Sequence, residues 1–202
     1  MSHFRYINKK LFAEKVSVST IIKKNKTPFY LYSEKQLKEN YSNFIKNFKN
    51  VNPLICFATK ANTNLAILRT LGKLGAGADV VSGGELLKAI KAGIKPNKIV
   101  FSGVGKTEEE LRLAIKKKIL LINIESESEA VLINKIAKKH NQKVSVGFRL
   151  NPDVDAKTHK KISTGKAENK FGLSIANFSI FYKNIKKFNN LKNNALSVHI
   201  GS

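Results

Sequence analysis

Along the chain, apolar positions alternate between short β-rich runs and longer stretches with helical spacing. The extended runs are PFYLYS (28–33), LICFAT (54–59), ADVVS (78–82), KIVFS (98–102), ILLINI (119–124), KVSVGFRL (143–150) and ALSVHI (195–200). Between them the spacing predicts helices near 34–48, 64–74, 84–92, 108–117, 127–140 and 175–188. Three helix starts carry the sequence of a capping box, in which a hydroxyl and a Glu or Gln three residues later satisfy orphan amides: Ser33 with Gln36, Thr107 with Glu110, and Ser126 with Glu129.

Strand and helix alternate from 54 to 150 with a period of roughly 20 to 25 residues, the size of one βα unit, which predicts a parallel sheet. A barrel and a doubly wound sheet both fit that rhythm. LICFA and ILLINI are apolar on both faces, so the sheet is expected to be covered on both sides. Two regions fall outside the repeat. Residues 1–27 form a Lys-rich lead-in, and 151–174, NPDVDAKTHKKISTGKAENKFGLS, is a long loop of the kind that serves as a lid or an interface element.

Composition narrows the function. The 202 residues are 42% hydrophobic, enough for a packed core and against disorder over most of the chain. No stretch approaches the roughly 18 consecutive apolar residues of a spanning helix, and MSHFRYINKKLF lacks the apolar block of a secretory signal, so a cytoplasmic protein is expected. The single Cys56 can make neither an internal disulfide nor a thiolate metal site. A net charge of +23 invites a nucleic-acid reading. However, only Arg5, Arg69, Arg112 and Arg149 offer bidentate grip, and the excess is Lys on solvated faces, so no nucleic-acid partner is expected.

The most informative segment is CFATKAN, 56–62. By strand parity Cys56, Ala58 and Lys60 share one face, which places Lys60 at the end of a buried strand. Desolvation there would depress the amine's pKa and free it as a nucleophile for a Schiff base. A lysine that has left the strand for solvent fits the spacing equally. In GADVVSGGEL, Asp79 and Ser82 bracket a strand before a Gly83–Gly84 turn into a helix. FSGVGKT (101–107) fails as a phosphate-binding P-loop because Val100 stands where the pattern needs glycine, leaving a βα turn capped by Thr107. Of the four His, only His199, at a strand end before Gly201 and Ser202, is placed to stack on a ring or carry protons. No spacing of His, Asp or Glu reads as a metal site.

Taken in order, CFATKANTN, GADVVSGGEL, KIVFSGVGKT, NIESESE, FRLNPDVDAKTHKKISTGKAENKFGL and HIGS resemble the diaminopimelate decarboxylases, pyridoxal-phosphate enzymes of the alanine-racemase-like barrel group. The resemblance runs from about position 28 to the last residue and implies an α/β fold, a pyridoxal-phosphate-binding (β/α)8 barrel. Residues 28–202 would be part of that barrel, and 1–27 would pack with the family's β domain. It implies that Lys60 holds pyridoxal phosphate covalently, that His199 stacks on the pyridine ring, and that Ser202, after Gly201, helps bind the phosphate. Asp79 and Ser82 would belong to the pocket wall, and Arg149 and Lys170 would line the pocket or the dimer interface.

The implied reaction converts meso-diaminopimelate to L-lysine and carbon dioxide. Counted against the family, strands at 54, 78, 98, 119, 143 and 195 make six of eight, so the chain is expected to be an N-terminal part, truncated or split, and inactive alone. The family's glycine-rich phosphate loop, its acidic partner of the pyridine nitrogen, its substrate-binding Arg and Tyr and its proton-donating Cys are not found. Cys56, on the first strand, cannot be that donor. An exposed apolar edge at ALSVHI is expected to invite aggregation. Alternative readings are a related decarboxylase of ornithine, arginine or carboxynorspermidine, or a non-catalytic cofactor-binding remnant. Expected partners are an amino-acid substrate, a second copy of the chain and a separate C-terminal half.

Overall fold

The computed structural model describes residues 3–154, 172–185 and 187–199. Its main sheet contains strands β4 (Cys56–Ala58), β5 (Gly77–Val80), β6 (Ile99–Phe101), β7 (Leu121–Ile124), β8 (Val144–Asn151) and β10 (Leu191–Val198). These run side by side in chain order and all pair in parallel. The short β9 (Leu173–Ser174) also pairs with β8. A doubly wound sheet reverses its strand order at a switch point. This sheet does not, so its order is that of consecutive barrel strands.

Helices α3 (Leu65–Lys73), α4 (Gly83–Lys91), α5 (Glu108–Lys117), α6 (Glu127–Lys139) and α7 (Ile175–Ile185) connect the strands, preceded by α2 (Glu34–Lys46). Their N-termini are built by their own sequences. Asn64, Ser82, Thr107 and Ser126 each accept a backbone N–H of the first helical turn. Thr107 and Glu110 form the full reciprocal box. Ser33 accepts from Gln36 as expected, but the Gln36 amide turns elsewhere, to the backbone N–H of His3 and to Asn40.

Strand parity divides the sheet. Ala78, Val80, Ile99, Phe101, Ile122, Ile124, Val146 and Phe148 point outward and pack with Leu68, Leu86, Leu111, Ile133 and their neighbours on the helices into one core. Phe148 meets the rings of Phe178 and Phe181 edge-on, at 5.6 and 5.3 Å between centroids. The intervening residues, Asp79, Asn123, Gly147 and Arg149 among them, point the other way. The expectation of a sheet covered by helices on both sides is therefore corrected, since among the described residues the helices lie on one face and the other lines a cavity.

β10 turns over part-way along. Leu191 and Asn193 pair with Val144 and Val146, but Ala195 and Ser197 pair with Gly147 and Arg149, so Asn194 is an extra, bulged residue. The strand also begins four residues earlier than ALSVHI suggested, and Leu196 and Val198 on it are exposed.

Two N-terminal expectations need correction. PFYLYS pairs with no strand, and Tyr30 there is 91% exposed. The lead-in has structure of its own: β1 (Phe4–Ile7), β2 (Lys10–Ala13) and β3 (Val16–Ser17) form an antiparallel sheet, followed by the one-turn α1 (Val18–Ile22). It docks on the start of α2, where Glu14 accepts from the Ser33 hydroxyl and the Lys35 amide and His3 pairs with Glu39. No helix among the described residues is long and apolar enough to cross a membrane.

Candidate functional site

All six parallel strands deliver side chains to one cavity of about 470 Å³ at their C-terminal ends, the end where barrel enzymes carry their chemistry. Lys60 follows the strand at one edge of the sheet, β4, and His199 follows the strand at the other edge, β10; both line the cavity. Residues at opposite edges can share a cavity only if the sheet curls towards closure, so this meeting is the geometric signature of a barrel arc.

Lys60 leaves β4 on a single 3₁₀ turn, Thr59–Ala61, and its side chain is exposed at the cavity rim while Thr59 beside it is fully buried. The expected burial of Lys60 is therefore corrected. The strand ends at Ala58, two residues short of the lysine, and desolvation does not act on the amine in this form of the site. What parity did place correctly is its direction, since Ala58 and Lys60 face the same cavity.

A polar chain crosses the neighbouring strands. The Ser102 hydroxyl donates to Asp79 Oδ1 at 2.6 Å, and Asn123 Nδ2 donates to Ser102 Oγ at 3.1 Å. Burial pushes the Asp79 carboxyl above its ordinary range, opposed first by the Ser102 hydrogen bond and then by the charges of Lys60, His199 and Arg149. Asn123 Oδ1 is buried with no hydrogen-bond partner. It stands over Gly147 on β8, where an added Cβ would lie 2.8 Å from it, so glycine is needed there for the close approach. Beyond Asn123, Arg149 donates from Nη1 to both oxygens of Glu125, at 3.0 and 3.3 Å, and Glu125 is almost wholly enclosed.

His199 is partly buried, and that burial, followed by the charges of Arg149 and Lys60, holds its imidazole below the ordinary value against the opposing pull of Asp79 and Glu125. The ring is accordingly neutral at neutral pH. The Cys56 thiol, pushed up to about 11 chiefly by burial and then by the Asp79 charge, is likewise neutral, and it points to the Lys98 carbonyl behind the cavity.

Of the residues singled out from sequence, Lys60, Asp79, Arg149 and His199 converge on this cavity. Ser82 does not: it caps α4 by accepting from the Glu85 amide at 3.2 Å. Lys170, Gly201, Ser202 and nearly all of the 151–174 loop lie outside the described residues. Sequence reasoning missed Ser102, Asn123 and Glu125, although Asn123 had a signal. Like Asp79 and Arg149, it is a polar residue interrupting an otherwise apolar run, on the parity that faces away from the helices. Among the described residues, no group of three or more His, Cys, Asp or Glu could hold a metal ion.

A primary amine, a neutral imidazole, a guanidinium and unspent hydrogen-bonding capacity around a cavity of this size are the donor set that a flat, anionic aldehyde requires. Comparison with known proteins agrees. The chain is 44% identical over 200 residues to the diaminopimelate decarboxylase of Aquifex aeolicus, covering 99% of this chain and 47% of that protein. The solved diaminopimelate decarboxylase of M. jannaschii in co-complex with L-lysine superimposes with a TM-score of 0.91 at 40% identity, covering 98% of this chain and 48% of that one. The Helicobacter pylori enzyme complexed with L-lysine gives 0.89 at 45% identity, over 92% and 47% of the two chains. The chain thus spans about half the length of the relatives it matches. Residues 34–202 match the family described as pyridoxal-dependent decarboxylase, pyridoxal binding domain, and the chain belongs to that family.

Proposed function

We propose that this chain is the pyridoxal-phosphate-binding part of a diaminopimelate decarboxylase, which releases carbon dioxide from meso-diaminopimelate to give L-lysine. The observation that carries the reading is the meeting of Lys60 and His199, from opposite edges of the sheet, on one cavity with Asp79 and Arg149. The relatives' names and the L-lysine in two of the superimposed structures support the substrate.

In this reading Lys60 holds the cofactor through its amine, and its exposure at the rim leaves the amine free to be displaced by an incoming substrate amine. When bound, the cofactor supplies the electron sink for the bond that breaks. His199 presents a neutral ring face, which packs on a flat aromatic group without adding a further positive charge beside Lys60 and Arg149. Glu125 fixes the Arg149 guanidinium by two contacts, so the cation keeps one orientation toward the cavity. Asp79, in turn, faces Lys60 and favours its charged form when no ligand is bound. Gly201, Ser202 and Lys170 keep the phosphate, pocket or interface roles that the resemblance implies. A homodimer and a cytoplasmic location belong to the same proposal.

The test is to add pyridoxal phosphate to the chain, reduce with borohydride and map the modified peptides by mass spectrometry. Labelling concentrated on Lys60 is expected, and scattered labelling overturns the reading. Lysine formation from meso-diaminopimelate tests the substrate separately.

A further inference from the structure

Behind the cavity lies a buried cation that the site itself does not use. Lys106, in the FSGVGKT turn between β6 and α5, has a side chain 1% exposed, and its ammonium donates to three acceptors: Gly103 O at 2.6 Å, Asn123 O at 2.7 Å and Glu129 Oε1 at 2.7 Å. Three N–H donors meet three acceptors, and the ammonium also sits 5.8 Å from the centre of the Phe101 ring. A buried charge this well satisfied is costly to assemble and has to hold something in place.

What it holds is the arginine of the cavity. Glu129, the residue Lys106 pairs with, accepts the Glu125 backbone N–H on its second oxygen at 2.8 Å. Gly103, whose carbonyl Lys106 grips, donates its own N–H to Glu125 Oε1 at 3.3 Å, with a backbone φ of +102° that a side chain would strain. Asn123, whose carbonyl Lys106 also grips, sits two residues before Glu125. The backbone and carboxylate of Glu125 are therefore set from both sides by partners of one ammonium. We propose that Lys106 is the positioning residue for Arg149, acting through Glu125, and through it for the cofactor site. The part concerning the cofactor rests on the reading of the preceding subsection.

The test uses Lys106→Met combined with Glu129→Gln, which removes both charges together and leaves neither buried alone. With only four arginines in the chain, the Arg149 Nε–H resonance is assignable by NMR. Its exchange with solvent is expected to quicken about tenfold in the folded double variant, as local opening frees the guanidinium. Pyridoxal phosphate, titrated into the same protein, is expected to bind about tenfold more weakly, as with the loss of an outer partner of a ligand set. Unchanged Arg149 exchange in a folded variant overturns the proposal. If the double variant does not fold, Glu129→Gln alone decides, since Gln at that position still supports the helix start. A smaller acceleration in the same direction is expected, and none overturns it. The NMR result stands whether or not wild type labels at Lys60, so failure of the cofactor reading and failure of this one are distinguishable.

Discussion

The two faces of the same six strands differ in what they are made of. Outward-facing positions are Ala, Val, Ile and Phe, and all eight named above are fully buried against the helices. Inward-facing positions in the same strands include Asp79, Asn123, Gly147 and Arg149, which share hydrogen bonds, charges and close approaches around a cavity. Residues one apart in sequence thus serve different ends. The outer face secures the fold by burial, and the inner face carries chemistry at some cost to it.

That division can be attacked from each side. On the outer face, Phe148→Ala removes a ring packed against two others and is expected to destabilise by about 3–5 kcal/mol, read by denaturant unfolding. On the inner face, Gly147→Ala forces a methyl group against Asn123 and is expected to cost about 1–3 kcal/mol. If it costs nothing, the close approach is not a constraint.

Asp79→Asn tests the sign of the inner face's cost. The Asp79 pKa is raised on folding, so its contribution to stability is fully present below the unfolded value near 3.8 and is lost as pH rises through the folded one. The Asn variant should melt somewhat above wild type at pH 7, and the difference should shrink as pH falls toward 3.8. A gap that widens in acid contradicts the assignment. The smallest effect is expected of Lys60→Ala, which removes an exposed side chain and should change stability by no more than about 0.5 kcal/mol while abolishing the borohydride label.

Much of this was legible in the sequence because local signals and global fold agree. The βα rhythm, the cap at Thr107 and the direction of Lys60 each follow from a short pattern of residues. The N-terminal hairpin was hidden because its two-residue turn is Asn8–Lys9, both with positive φ, where the usual signal is glycine at the second place. PFYLYS misled because β-rich composition needs a partner strand to become a strand. Lys106 was read only as part of a failed phosphate motif, because its partners Asn123 and Glu129 are supplied by another βα unit and no local pattern announces them. The convergence of Lys60 and His199 was invisible to spacing for the same reason: the curl that brings two sheet edges together is a property of all the strands at once.

The bulge at Asn194 bears on how this site tolerates changes in chain length. Because one residue more or less exchanges the faces of a strand, β10 without Asn194 would carry Ser197 and His199 on the helix-facing side and turn Leu196 and Val198 inward. A single-codon deletion in this strand could therefore leave every paired strand in order and still empty the cavity of its imidazole, whereas a substitution at the same codon would leave His199 aimed where it is.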